Sequence, residues 1–302
     1  MASFDVYQTV TDKIIAALES AATWNKPWLS AFDGGNGLVR PVNATTGKGY
    51  RGMNVPMLWL AKRESPSWAT YKQWNETGAQ VRKGEKGTQI VVWKTWTPAD
   101  GAAPDADGKG GTPARLFARA YTVFNAEQVD GWDKAPAPRA PSFDPIAAAD
   151  AFVASAGATV MQGGGRAFYT PQGDFIQMPQ RGQFVGTDTS TAAECYYGTL
   201  LHELVHWTGK DTRCNREFGA RFGDAAYAFE ELVAELGAAF LSADLLLHCD
   251  PRPDHAQYLK SWLEVLKGDK RAIFTAASKA EQAAAYLAAL QPGALDSMPL
   301  AA

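Results

Sequence analysis

Residues 191–209 read TAAECYYGTLLHELVHWTG, and this stretch decides how the second half of the chain is built. Thr191 followed three residues later by Glu194 is a capping box, which satisfies two orphan amides at a helix start. Gly209 offers a stop, so the spacing predicts a helix from Thr191 to Trp207. Inside it stands HELVH, with His202 and His206 four residues apart on one helical face, where two imidazoles can converge on a single cation. Glu203 is rotated by about 100° from His202, so its carboxylate can reach an activated water without ligating the metal. That combination suits hydrolysis. Zinc would lower the pKa of water toward about 7 and polarise a scissile carbonyl, while Glu203 takes the proton and returns it to the leaving amine. The plainer alternative is a helix with two ordinary histidines and a carboxylate on its surface, but the capped helix that the motif requires is present.

A catalytic zinc site takes three protein ligands, so a third is needed. His248 and His255 have the right chemistry but fall far along the chain. The acidic run FEELVAEL at 229–236 is better placed. Glu231 and Glu235 share a face at four-residue spacing, so Glu231 is read as the ligand and Glu235 as the acceptor of a hydrogen bond from a liganding histidine. Glu230 is a rival by one position. Two histidines and a carboxylate favour Zn2+, with Mn2+ or Co2+ as alternative occupants in vitro. Tyr196, Tyr197 and Tyr227 can donate to an oxyanion, although core packing is the commoner use of such rings. Cys195, two turns before the motif, reads as a small packed residue, and Cys214 as a thiol beside Arg213 and Arg216.

Working outward, the chain has 302 residues, 46% hydrophobic and 20% charged, enough for about two domains. No apolar run approaches the roughly 20 residues of a membrane span, and MASFDVYQTV lacks a signal core, so a cytoplasmic protein without membrane contact is expected. Three cysteines, Cys195, Cys214 and Cys249, are read as thiols. Residues 134–145, KAPAPRAPSFDP, carry four prolines and read as an extended connector. The expected division is therefore 1–134, a linker at 135–145, and 146–302. In the first part, apolar Val6, Val10, Ile14, Ala17 and Leu18 predict an amphipathic helix. QIVVWKTW and RLFARAYTVF predict a hairpin around the polar loop at 97–113. In the second, a helix is expected at 146–156, then a hairpin turning at Pro171 to Gly173, the HELVH helix, and helices at 227–247, 255–267 and 269–290. The fold class is α+β: a mixed first domain and a mainly helical second one with a small sheet.

The net charge of −3 conceals an asymmetry. Residues 1–134 carry 16 Lys and Arg against 13 acids, the remainder 13 against 19, and residues 40–96 alone carry ten against three. Eight of the ten tryptophans, including Trp24 and Trp28, also lie in the first part. Single-stranded nucleic acid needs cations for phosphates and rings for bases. Candidate contacts are Lys48, Tyr50, Arg51, Trp59, Lys62, Arg63, Trp68, Arg82, Lys83 and Lys86. Glycine-rich GKGYRG offers backbone amides to phosphate, but no Walker pattern is present. Most of the tryptophans can equally be core, and at most two or three are expected to stack on bases. The opposite charges of the two parts also allow the acidic one to lie against the basic one.

NATTGKGYRGMN at 43–54, WATYKQW and GAQVRKGEKG at 68–87, and HELVHWTG followed by EELVAELGAAFL together resemble ArdC-type antirestriction proteins over nearly the whole chain. The resemblance implies a single-stranded-DNA-binding first domain, similar to the N-terminal part of TraC-type primases. It implies a zincin-like metallopeptidase second domain, with His202, His206 and Glu231 as ligands and Glu203 as the catalytic glutamate. Where thermolysin-like zincins carry an aspartate four residues beyond the glutamate ligand, this chain has Glu235. The implied role is to protect incoming DNA from host restriction during conjugation, with single-stranded DNA as partner and duplex more weakly bound. Two alternatives stand beside it: a protease that cuts an unidentified host restriction or repair protein, and a non-catalytic DNA coat whose metal is structural.

Overall fold

A computed structural model describes residues 5–20, 39–96, 115–132, 144–187, 189–219, 225–248 and 256–292. The proline-rich residues 135–143, the polar loop at 97–113, Trp24, Trp28, Cys249 and His255 lie outside them.

The chain opens with α1 (Val6–Ser20), whose Val6, Val10, Ile14 and Leu18 are buried as the helical period requires. A four-stranded sheet follows from β1 (Val42–Asn43), β2 (Ser67–Thr70), β4 (Thr88–Trp96) and β5 (Arg115–Asn125) in the order β1-β2-β5-β4. Its spine is the predicted antiparallel β4–β5 hairpin, in register from Thr88 opposite Val123 to Trp96 opposite Arg115. Helices α2 (Asn54–Trp59) and α3 (Tyr71–Glu76) and the small pair β3 (Gln80–Val81) and β6 (Val129–Asp130) complete this part. These short pieces carry no long period and were not legible beforehand.

The second part begins at α4 (Pro145–Ala156), with Asp144 as N-cap and proline at the first helical position, where its missing N–H costs nothing. A three-stranded sheet, β7 (Thr159–Gln162), β8 (Phe168–Thr170) and β9 (Phe175–Met178), has the order β7-β9-β8. The hairpin at Pro171–Gly173 is present; β7, parallel to β9, was not expected. Then come α5 (Ala192–Thr208), α6 (Ala225–Leu245), α7 (Ala256–Gly268) and α8 (Ala272–Ala289). The Thr191 capping box is formed in both directions: Glu194 N–H donates to Thr191 Oγ1 (3.2 Å) and Thr191 N–H to Glu194 Oε2 (2.8 Å). Gly209 does end α5, but for a different reason than expected. Its backbone is right-handed (φ −72°), and an added Cβ would lie 2.6 Å from the Phe218 ring and 3.0 Å from Arg216 Nη2. Close approach, not left-handed freedom, selects glycine there.

The sequence division is not a division of the core. One cluster joins α1, α2 and Val91 of β4 to α4–α8. The first helix packs against α7, Thr11 Oγ1 donates to Lys270 O (2.8 Å), and Lys267 and Lys270 reach Glu19 and Asp5. Arg40, with its side chain only 16% exposed, bridges Asp244 (2.8 Å) and Glu281 (3.0 Å) and lies over the Phe240 ring. At this point acidic and basic parts do meet.

Helices α5 and α6 are in close contact at Gly237, where a Cβ would fall 2.8 Å from Val205 Cγ2. Gly237→Val is therefore expected to force the two helices apart at a cost of about 1–3 kcal/mol, read as a lowered urea midpoint at unchanged m-value.

Candidate metal centre

Close contact between α5 and α6 brings three donor side chains to one point. His202 Nε2 and His206 Nε2 lie 3.1 Å apart, and the Glu231 carboxylate lies 3.5 Å from the first and 3.4 Å from the second. All three residues are buried, and their donor atoms fall within 4.8 Å of one another. Two imidazoles and a carboxylate converging in this way fit a divalent cation. Without one, the nitrogens face each other across a space that only a proton or a metal can make favourable.

Each histidine is held from behind by a different glutamate. His202 Nδ1 is 3.1 Å from Glu235 Oε1, the pairing expected for Glu235. His206 Nδ1 is 3.2 Å from Glu230 Oε1. Glu230, the rival ligand, thus turns away from the metal point and orients His206 instead. Its carboxylate is gripped by Arg216, whose side chain is 1% exposed and donates to Glu230 Oε1 (2.8 Å) and Oε2 (2.9 Å). The same guanidinium donates to Val205 O and Thr208 Oγ1 at the end of α5. Arg216 therefore ties the orienting carboxylate to the motif helix. Sequence reading missed this role; an arginine and a spare glutamate beside an HExxH helix were the available signal.

Glu203 lies in the same cleft, 4% exposed. The cleft has a volume of about 590 Å3. Its walls are Phe168, Tyr169, Pro171 and Gln172 of the β8–β9 hairpin on one side, Phe218 and Tyr227 on the other. Salt bridges from Lys210 and Arg213 to Asp174 fix the hairpin to the loop after α5, and Arg213 stacks 3.9 Å over the Trp207 ring. Tyr196 and Tyr197 are core residues, as expected, whereas Tyr227 borders the cleft. His248 is elsewhere, its backbone N–H donating to Glu194. Cys214 is a free thiol on the loop.

Burial opposes charge on His206, but Glu230 and Glu231 beside it outweigh burial and raise its pKa to about 10. Burial likewise opposes charge on Glu231, and hydrogen bonds from His202 and His206 outweigh it, holding the carboxyl well below its usual range.

The candidate DNA contacts separate into four groups. Trp59 and Trp68, each 2% exposed, are corrections: both are core. Trp59 donates its indole N–H to Val39 O and packs beside Phe240, and Trp68 packs with Leu58, Ile90 and Val123. Tyr50 is half-buried, its hydroxyl 3.4 Å from Asn43 Nδ2. Arg63 pairs with Glu85 and Glu127, and Arg82 with Glu85 and Asp130. Lys48, Arg51, Lys62, Lys83 and Lys86 are exposed. The GKGYRG amides do not form an open cradle, since Gly47 N–H donates to Asn43 O and Gly52 N–H to Glu281. Exposed rings do occur, but at Trp93 (44%), Phe117 (42%) and Tyr71 (48%), of which strand alternation in β4 and β5 was the signal for the first two.

An HExxH helix, a glutamate helix and a small sheet beside them define a zincin-like metallopeptidase domain, here joined to a mixed α/β domain. Residues 147–279 match the family model of the zincin-like metallopeptidase, and residues 4–124 that of the N-terminal domain of anti-restriction factor ArdC. An uncharacterized protein of Sinorhizobium fredii (strain NBRC 101917 / NGR234), y4eC, is 45% identical over 297 residues, covering 96% of this chain and 94% of its own. The crystal structure of antirestriction ArdC from plasmid R388, metal-free, is 38% identical and covers 98% of this chain and 100% of its own with a TM-score of 0.76; the Mn(II)-bound structure gives 0.73. The chain belongs to the ArdC antirestriction family. Two DNA primases TraC of Escherichia coli are 37% and 38% identical over 94% of this chain, which spans only 20% and 27% of their length.

Two outcomes are expected. Glu230→Gln should weaken divalent-metal binding by about 10- to 100-fold, measured by competition with a chromophoric chelator. Because Glu230 and Glu231 raise the pKa of the metal-free His206 above its ordinary value, metal uptake near pH 7 should release a proton and tighten as pH rises. Calorimetry in buffers of different ionisation enthalpy reads this directly.

Proposed function

We propose that this chain protects incoming DNA from host restriction during conjugation by binding single-stranded DNA, and that its second domain is a zinc-dependent peptidase acting in the bacterial cytoplasm. Membership of the antirestriction family supports the first half, together with the exposed Lys48, Arg51, Lys62, Lys83 and Lys86 on the basic part. Among the described residues no helix is long and apolar enough to cross a membrane. The observation that carries the second half is that Glu203 shares one cleft with His202, His206 and Glu231.

When bound, zinc supplies a Lewis acid and makes water acidic enough to attack at neutral pH. The Mn(II)-bound R388 relative supports a divalent-cation site and makes manganese the alternative occupant. Glu203 takes the proton of the attacking water and delivers it to the departing amine. Glu235 and Glu230 keep the two imidazoles aimed at the metal point. Tyr227 borders the same cleft and carries the kind of hydroxyl that an oxyanion donor needs.

The test uses full-length protein. Zinc-loaded wild type is expected to cut proteins of a recipient-cell lysate and to bind single-stranded oligonucleotides with affinity that falls steeply with salt. Glu203→Gln should keep zinc and DNA affinity and lose cleavage. Equal protection of incoming DNA by this variant and wild type, with no cleavage by either, would overturn the peptidase and leave a DNA coat with a structural metal. Absence of DNA binding by wild type would overturn the first half.

A further inference from the structure

A second cleft, of about 660 Å3, shares no lining residue with the metal cleft. It opens between β4 and the start of α2 on one side and α8 on the other, so both halves of the chain build it. Its volume is within the about 300–1,000 Å3 usual for small-ligand sites. One wall is aromatic. Trp93, 44% exposed, has its ring centroid 5.9 Å from that of Tyr7, and Tyr7 rests edge-on against Phe274 at 5.0 Å. The other feature is positive charge. Arg51, Arg271 and Lys279 line the cleft, with the Arg271 guanidinium 5.0 Å over the Tyr7 ring. Among the described residues Glu281 is the one acid in the lining, and its carboxylate is already taken, accepting from Arg40 at 3.0 and 3.2 Å and from Gly52 N–H at 3.2 Å. Three cations thus face a slot in which the Glu281 carboxylate is neutralised by Arg40 from outside it.

An exposed indole in a cationic slot matches the chemistry of an unstacked nucleotide, which presents a flat π face and flanking phosphates. A duplex keeps its bases stacked within the helix and offers no such face. We propose that this interdomain cleft takes up one base of a single strand against Trp93 and Tyr7, with the neighbouring phosphates on Arg51, Arg271 and Lys279. The inference rests on the single-strand reading above and adds to it: α8, from the metal-bearing half, contacts the strand, so DNA occupies both domains at once.

Full-length protein and a fluorescein-labelled oligothymidylate of about 16 nucleotides, titrated by anisotropy at several salt concentrations, test it. Trp93→Ala should weaken binding about tenfold, as expected for one lost stack, and Trp93→Phe should restore most of it. An abasic strand of equal length should bind wild type and Trp93→Ala alike. Arg271→Gln and Lys279→Gln should each lower the slope of log affinity against log salt by about 0.7. Wild-type binding that survives all three cleft substitutions but falls with Lys83→Gln overturns the cleft and leaves the single-strand reading standing. Equal losses for abasic and base-bearing strands on Trp93→Ala reduce Trp93 to a packing residue and also overturn it. No binding by wild type overturns the single-strand reading, and the cleft with it.

Discussion

The metal point depends on the contact of α5 and α6 across a glycine. Gly237 lets Val205 approach closely enough for α6 to present three glutamates to the two histidines of α5. Buried ionic groups are expensive unless each has its partner. Here the accounting is nearly closed: Glu235 stands behind His202, Glu230 behind His206, Arg216 behind Glu230, and Glu231 faces both imidazoles from the front. With both imidazoles neutral, three glutamates and Arg216 leave two negative charges around the point where the two Nε2 atoms and Glu231 converge, which a divalent cation would offset.

The motif helix was legible because its information is local. A capping box, a 3.6-residue period and HELVH sit within nineteen residues, and the Glu231 and Glu235 spacing needs only a second helix. The assignment of Glu230 was not legible, since neighbouring helix positions differ by about 100° and only tertiary packing says which way each points. Arg216 illustrates the same limit: its partner lies fourteen residues away across a loop, with no period to announce it. In the first part, charge and aromatic content were visible, but composition does not tell a buried ring from an exposed one. Trp59 and Trp68 went to the core, while Trp93, in the predicted hairpin, kept its face open.

Small strands and two-turn helices escaped for a related reason. β1, β3, β6, α2 and α3 are each six residues or fewer, held by their neighbours more than by their own pattern. The linker composition marked a change along the chain, and family models match on either side of it. The core nonetheless runs through, because α1 is spent on the far half and Arg40 reaches across to Asp244 and Glu281.

That placement of α1 has a consequence for synthesis. Helix α1 packs against α7, and α6, which carries Glu231, packs against α8, both of which come later in the chain than HELVH. A nascent chain therefore bears HELVH well before it bears the support that fixes the facing glutamates. Folding of the HELVH helix alone therefore does not assemble the centre, which is complete only once α6 has packed on both α5 and α8.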